Sequence, residues 1–179
     1  MPYTLEAFIA DLDRITQRET APDKITAAVA PLLAELIKHP DAVPGRFCGP
    51  APDGKRGRYM LHRAPNFNVT AVVWRPGDTA AAHNHGTWGV IGVIANEIQE
   101  TRYRPGRAGV EVTAVHRHGP GAISCLLPPG DEIHAMHNLT DRDTVEIHVY
   151  GKDLAGLKRR TWSGDGTEKE LVSPKDLNC

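Results

Sequence analysis

Residues 67–95 read FNVTAVVWRPGDTAAAHNHGTWGVIGVIA, and the fold of this chain is decided there. FNVTAVVW is rich in β-branched and aromatic residues and has the length of a strand. Arg75-Pro76-Gly77-Asp78 fits a tight turn with Pro second and Gly third. TAAAHNH then leads out of the turn, and GVIGVIA follows as a second apolar run. Along extended backbone, residues two apart share a face, so His83 and His85 project to the same side. Asn84 between them is the outward-facing spacer that alternation requires. Imidazole pairs suit iron, zinc, copper or nickel, but His-x-His is weak evidence in a chain with nine histidines.

Working outward, short segments with Gly, Pro and Asp between them continue on both sides. Strands are expected near 56–63, 67–75, 80–85, 88–95, 97–104, 110–116, 121–127, 132–137 and 143–151. This spacing reads as a sandwich or barrel. Before it, Leu5, Phe8, Ile9, Leu12 and Ile15 form an amphipathic helical stripe behind Thr4, a residue suited to cap it. Ile25, Val29, Leu32, Leu33 and Leu36 repeat the stripe, and Pro31 is expected to kink that helix or start a new one. The expectation is a single domain over 1–179. It has a helical part (1–40) lying on a sheet, a β-barrel (45–152), and a polar tail (153–179) wrapped around the outside.

Composition narrows the function. Twenty-one basic against twenty-two acidic residues give a formal net charge of -1, which makes no case for nucleic acid or an anionic membrane as partner. No apolar run is long enough to span a bilayer. The opening MPYTLEAFIADLDRIT places acids where a signal peptide has its apolar core. Cys48, Cys125 and Cys179 are too few and too scattered for a disulfide framework. A cytoplasmic location is the expectation, and the sequence leaves monomer and homo-oligomer equally open.

A second turn-then-histidine segment lies about fifty residues downstream: PPGDEIHAMHN (128–138). In a small barrel it would bring His134 to the first pair. Three imidazoles would leave coordination positions open, as a catalytic metal needs. The next strand, TVEIHVY (144–150), puts Val145, Ile147 and Val149 on one face and Glu146, His148 and Tyr150 on the other. An acid, an imidazole and a phenol in one row form a proton-handling or metal-orienting ladder. His116-Arg117-His118 reads as a strand end and solvated loop, since nothing nearby in sequence completes a site. His39, His62 and His137 read as structural or exposed. Cys125 reads as a small hydrophobe.

In combination these features resemble the cupin-fold thiol dioxygenases, the cysteine dioxygenases and bacterial 3-mercaptopropionate dioxygenases. The likeness covers roughly residues 45–155. It rests on the Pro-Gly turn, His-Asn-His, Trp-Gly, the third His before Asn138, and His-x-Tyr on the following strand. It implies a mainly β cupin (a double-stranded β-helix, or jelly-roll barrel) with N-terminal helices. It also implies mononuclear non-haem Fe(II) held by His83, His85 and His134, and a small carboxylated thiol and O2 as reactants, giving a sulfinate. Tyr150 would sit near the metal with His148 orienting it, and Glu146 occupies the family's Ser position. The family's substrate-anchoring position falls on Arg58, since a guanidinium forks onto a carboxylate, with Arg63 as an alternative. Arg56 stands where an aromatic is common, and Arg56 with Arg58 would suit a dianionic thiol such as mercaptosuccinate. Trp88 is expected as pocket wall or core beside the metal. The crosslinking cysteine of animal members is absent, and Gly89 or Val90 stands there. Gly86 to Val90 holds no acid, which favours three histidines over three histidines plus Glu. Another metal-dependent cupin enzyme, or a non-catalytic small-molecule-binding cupin, is the alternative.

Overall fold

The computed structural model describes residues 3–39, 41, 43–173 and 175–178; Cys179 lies outside them. Two helices, α1 (Leu5–Arg18) and α2 (Pro22–Leu36), precede eleven strands. Thr4 caps α1, its hydroxyl accepting from Ala7 N–H at 3.2 Å. Pro31 lies inside α2, which runs as one helix from Pro22 to Leu36. The strands are β1 (Gly57–Arg63), β2 (Asn68–Trp74), β3 (Thr79–His83), β4 (Gly89–Ala95), β5 (Ile98–Gly106) and β6 (Gly109–His118). They continue as β7 (Ile123–Leu126), β8 (Ile133–His137), β9 (Thr144–Tyr150), β10 (Lys158–Trp162) and β11 (Glu168–Val172).

Two antiparallel sheets result. One has the order β1-β2-β9-β4-β7, the other β11-β10-β3-β8-β5-β6. The 75–78 turn closes with Asp78 N–H donating to Arg75 O at 3.0 Å, and Gly77 takes φ +78°, which glycine adopts without penalty. The mainly β, two-sheet barrel with N-terminal helices expected from the sequence is the fold observed. The tail differs from expectation. Residues 158–162 and 168–172 pair with each other, and Thr161 and Trp162 pair with His83 and Ala82 of β3. The tail is thus an edge of the second sheet. The 116–118 segment also differs: it is strand throughout, paired with Ile98, Gln99 and Glu100 of β5.

The core lies between the helices and the outer face of the first sheet. Phe8, Leu12, Val29, Leu33 and Leu36 pack with Val69, Ala71, Val90, Ile147 and Val149, and all of these are buried. Strand alternation does the rest: the face of β9 opposite Ile147 and Val149 turns into the barrel and carries Glu146, His148 and Tyr150. Gly92 lets α2 approach closely, since a Cβ there would stand 3.1 Å from Leu33 Cγ and Ile37 Cδ1. Among the described residues, no helix is long and apolar enough to cross a membrane.

The helix layer is therefore part of the core that fixes the reactive strand. Leu33→Ala is expected to cost about 2–5 kcal/mol, read as a lowered urea midpoint. A loss below about 1 kcal/mol would show that the helices are not packed as core.

Candidate metal centre

His83 on β3 is the direct cross-strand partner of His134 on β8. His85 follows two residues beyond His83, just past the end of β3. The three rings meet inside the barrel with centroids 4.8 to 4.9 Å apart, and their ligand atoms all lie within 4.8 Å of one another. Each Nδ1 is occupied by an oxygen: Ala81 O at 2.8 Å for His83, Glu132 O at 3.0 Å for His85, and Glu100 Oε1 at 2.6 Å for His134. A carbonyl or carboxylate oxygen only accepts, so Nδ1–H donates in all three rings. Three unprotonated Nε2 atoms are left as ligands. Burial, together with the neighbouring histidines, holds His83 and His85 well below the ordinary imidazole range. Three pre-oriented imidazoles are the donor set a divalent transition metal takes, so the residues present fit a metal bound by His83, His85 and His134.

Around this centre stand two acids that sequence reading did not single out. Glu100 is buried on β5, diagonal to His134, which faces Arg102. Besides His134 it takes His118 Nε2 at 2.8 Å, the Ser124 hydroxyl at 3.0 Å and Arg102 Nε at 3.0 Å. Burial alone would raise this carboxyl, but the bonds from His118 and His134 and the charge of Arg102 hold it well below the usual range. His118 thus has a partner after all, contrary to the solvated-loop expectation. The second acid is Glu132, whose Oε2 accepts the backbone N–H of His85 at 2.9 Å and of Gly86 at 2.6 Å. It fixes the backbone that carries His85. Alternation supplies the one legible signal for Glu100, which shares a strand face with the apolar Ile98.

The row on β9 forms a connected chain. Trp74 Nε1–H donates to Glu146 Oε2 at 2.6 Å, and His148 Nε2 lies 2.9 Å from that same oxygen. The Tyr150 hydroxyl lies 2.9 Å from His148 Nδ1. With Nε2–H donating to the carboxylate, Nδ1 accepts the phenolic proton. The Tyr150 ring stacks on His85 at 5.2 Å, and burial raises its hydroxyl above the ordinary phenol range. Gly89 is paired with Tyr150 across β4 and β9, and a Cβ there would stand 2.8 Å from the Tyr150 ring. Gly89, not Val90, therefore faces the tyrosine.

A cavity of about 430 Å³ opens onto this centre, and Arg56, Arg58 and Arg159 contribute to its wall. Arg56 lies over the Trp74 ring at 3.7 Å, donates to Thr79 O at 2.7 Å and approaches Asp78 at 3.5 Å. Its cationic head is thus engaged by protein groups. Arg58 Nε lies 2.6 Å from Asp176 Oδ1. Arg63 pairs with Asp153 at 2.8 Å and is not part of the cavity wall. Trp88 is placed in the hydrophobic core with Phe67, Val90 and Val149 and does not line the cavity. The chain reverses faces between Trp88 and Gly89, and Gly89 takes the side toward Tyr150. Asn84 is more than a spacer. Its Oδ1 accepts Arg160 N–H at 2.8 Å, and its backbone oxygen accepts Arg159 Nη1–H at 2.7 Å.

Arg159 was not among the residues expected to matter. It is buried on β10, its Nη2 reaches Ser173 Oγ, and its Nε has no hydrogen-bond partner among the described residues. Thr70 Oγ1, also buried on the cavity wall, is likewise unpartnered. Two orphaned polar groups beside a metal-binding triad mark a place for a polar ligand.

No family model matches the chain. Among solved structures, the TT1209 protein from Thermus thermophilus is similar at 17% identity over 60% of this chain and 91% of that one, with a TM-score of 0.48. The Cupin_2 domain of an XRE family transcriptional regulator from Enterobacter cloacae is similar at 16% identity over 55% of this chain and 97% of that one, with a TM-score of 0.43. A sugar phosphate isomerase of the cupin superfamily from Silicibacter pomeroyi is similar at 19% identity over 68% of this chain and 82% of that one, again with a TM-score of 0.43.

If Glu100 orients His134, Glu100→Gln is expected to weaken metal affinity about 10- to 100-fold in a chelator competition titration, with the fold kept by circular dichroism. Unchanged affinity would remove Glu100 from the account of the centre.

Proposed function

We propose that the chain is a mononuclear non-haem iron thiol dioxygenase, which adds both atoms of O2 to the sulfur of a small carboxylated thiol and releases a sulfinate. One observation carries the reading. The linked Glu146–His148–Tyr150 row ends against His85, at the wall of a cavity that Arg58 and Arg159 also line. A three-histidine centre alone suits many reactions. A phenol delivered to it by a carboxylate–imidazole pair, in a cavity that fixed cations also line, suits a substrate that is acidic at one end and anionic at the other.

Iron held by His83, His85 and His134 would supply open coordination positions and a route by which sulfur passes electrons to O2. The chain's own residues do the rest. The buried Arg159, with its free Nε, and Thr70, with its free hydroxyl, offer donors to the substrate carboxylate. Tyr150 gives its own proton toward His148 Nδ1, which leaves its oxygen lone pairs free to accept the thiol proton. Glu146 keeps His148 in the tautomer able to receive that proton. The balance is a thiol plus O2 going to a sulfinic acid, with no other reductant.

Protein reconstituted with Fe(II) is expected to consume O2 only when a carboxylated thiol is present, and to yield the sulfinate by mass spectrometry. Tyr150→Phe is expected to lower kcat about 100-fold or more with iron still bound. Bound metal with no thiol consumed across a panel of carboxylated thiols would overturn the proposal and favour another cupin activity or a binding role.

A further inference from the structure

The charges on the cavity wall point to a selection rule, which rests on the thiol dioxygenase reading of the site. Arg56 is compensated by Asp78 and stacked on Trp74. Among the described residues Arg159 makes no ion pair and donates to neutral acceptors, Asn84 O and Ser173 Oγ. Glu132, the acid near it, spends its Oε2 on the backbone N–H groups of His85 and Gly86. Arg58 differs from both, because its partner comes from the far end of the chain.

That partner is brought by an added edge. Leu177 N–H donates to Arg58 O at 2.9 Å. The Asn178 side chain brackets Met60, its Oδ1 accepting from Met60 N–H and its Nδ2 donating to Met60 O, both at 2.8 Å. β1 is the end strand of the first sheet, so these bonds cap its open side. They place the Asp176 carboxylate against Arg58 Nε at 2.6 Å, with the Asp176 side chain 0% exposed. Neither Asp176 oxygen has a directed hydrogen bond among the described residues. Burying a carboxylate in this way is unfavourable unless a cation offsets it. Backbone and Asn178 contacts already hold the segment in place, so the acid is not needed for attachment. Its effect is electrical.

We propose that Asp176 is a specificity-determining residue: it cancels the charge of Arg58, so that the cavity presents one uncompensated guanidinium, Arg159, and prefers thiols with one carboxylate to thiols with two. This reverses the expectation from Arg56 and Arg58 in sequence, that the pair would favour a dianion. Those cations are present at the wall, but each has been given its own acid.

The test is calorimetric titration of protein loaded with Ni(II), which binds without turnover, using 3-mercaptopropionate and mercaptosuccinate without O2. Asp176→Asn is expected to shift the ratio of the two dissociation constants toward mercaptosuccinate by about tenfold, one freed charge pair at the low end of measured couplings. Asp176→Glu is expected to keep the wild-type preference. In the double variant Asp176→Asn/Arg58→Gln the ratio is expected to return to the wild-type value. If Asp176→Asn does not fold, Arg58→Gln alone, which leaves the acid uncompensated, is expected to shift the ratio against mercaptosuccinate relative to the wild type, and an unchanged ratio there would overturn the proposal. A ratio unchanged within about twofold, or equal weakening of both thiols, would overturn the proposal. Sulfinate formation by the iron-loaded protein is read separately. Sulfinate without the shift sinks this inference alone, and the shift without sulfinate sinks the dioxygenase reading alone.

Discussion

The structure depends on keeping three imidazoles, two of them fully buried, aimed at one point. Water would otherwise solvate these rings, and inside the barrel nothing replaces it except fixed oxygens. Ala81 O, Glu132 O and Glu100 Oε1 supply one acceptor each, and that choice of acceptors places the proton on Nδ1 and turns each Nε2 toward the common point. For His83 and His85, burial first, then the neighbouring histidines and Arg159, disfavour the charged ring. The direct cross-strand pairing of His83 with His134 turns this local chemistry into a property of the second sheet. Its register cannot slip by one residue without turning His134 away from the site.

The first sheet serves both the core and the site. On β9 the outward face packs Ile147 and Val149 under the helices, while the inward face carries Glu146, His148 and Tyr150. Fixing the apolar side therefore fixes the reactive side, through backbone that has little freedom to move. Hydrogen bonds extend the same order sideways, since Trp74 on β2 holds Glu146 and is itself covered by Arg56. Asp78, from the turn that opens the His-Asn-His segment, in turn approaches Arg56. The turn and the far end of the proton-handling row are linked through three side chains.

Much of this was legible in the sequence where the signal is local. The Pro-Gly turn, the alternation in TVEIHVY and the helical stripes of the first forty residues are patterns of period two or 3.6, and the structure follows them. Likewise, His83, His85 and His134 could be paired because each lies just beyond a turn of the same kind. What could not be read depends on which strands become neighbours. Glu100 matters only because β5 lies beside β8. Arg159 matters only because residues 158–162 add to β3, whereas a polar tail with few apolar anchors carries no strong strand signal. Asp176 reaches Arg58 across more than a hundred residues of chain, and no periodicity reports such a contact. Of the two places expected for Trp88, pocket wall or core, it takes the core, because strand alternation gives the inward side to Gly89.

The central claim is that His83, His85 and His134 together hold one metal ion whose remaining positions take a thiol. X-ray absorption on the iron-loaded protein tests it most directly. The account predicts one iron per chain, three imidazole nitrogens at about 2.0–2.2 Å, and a new sulfur neighbour at about 2.3 Å when 3-mercaptopropionate is added without O2. An iron environment that lacks imidazole nitrogens, or one that gains no sulfur when the thiol is present, would contradict it.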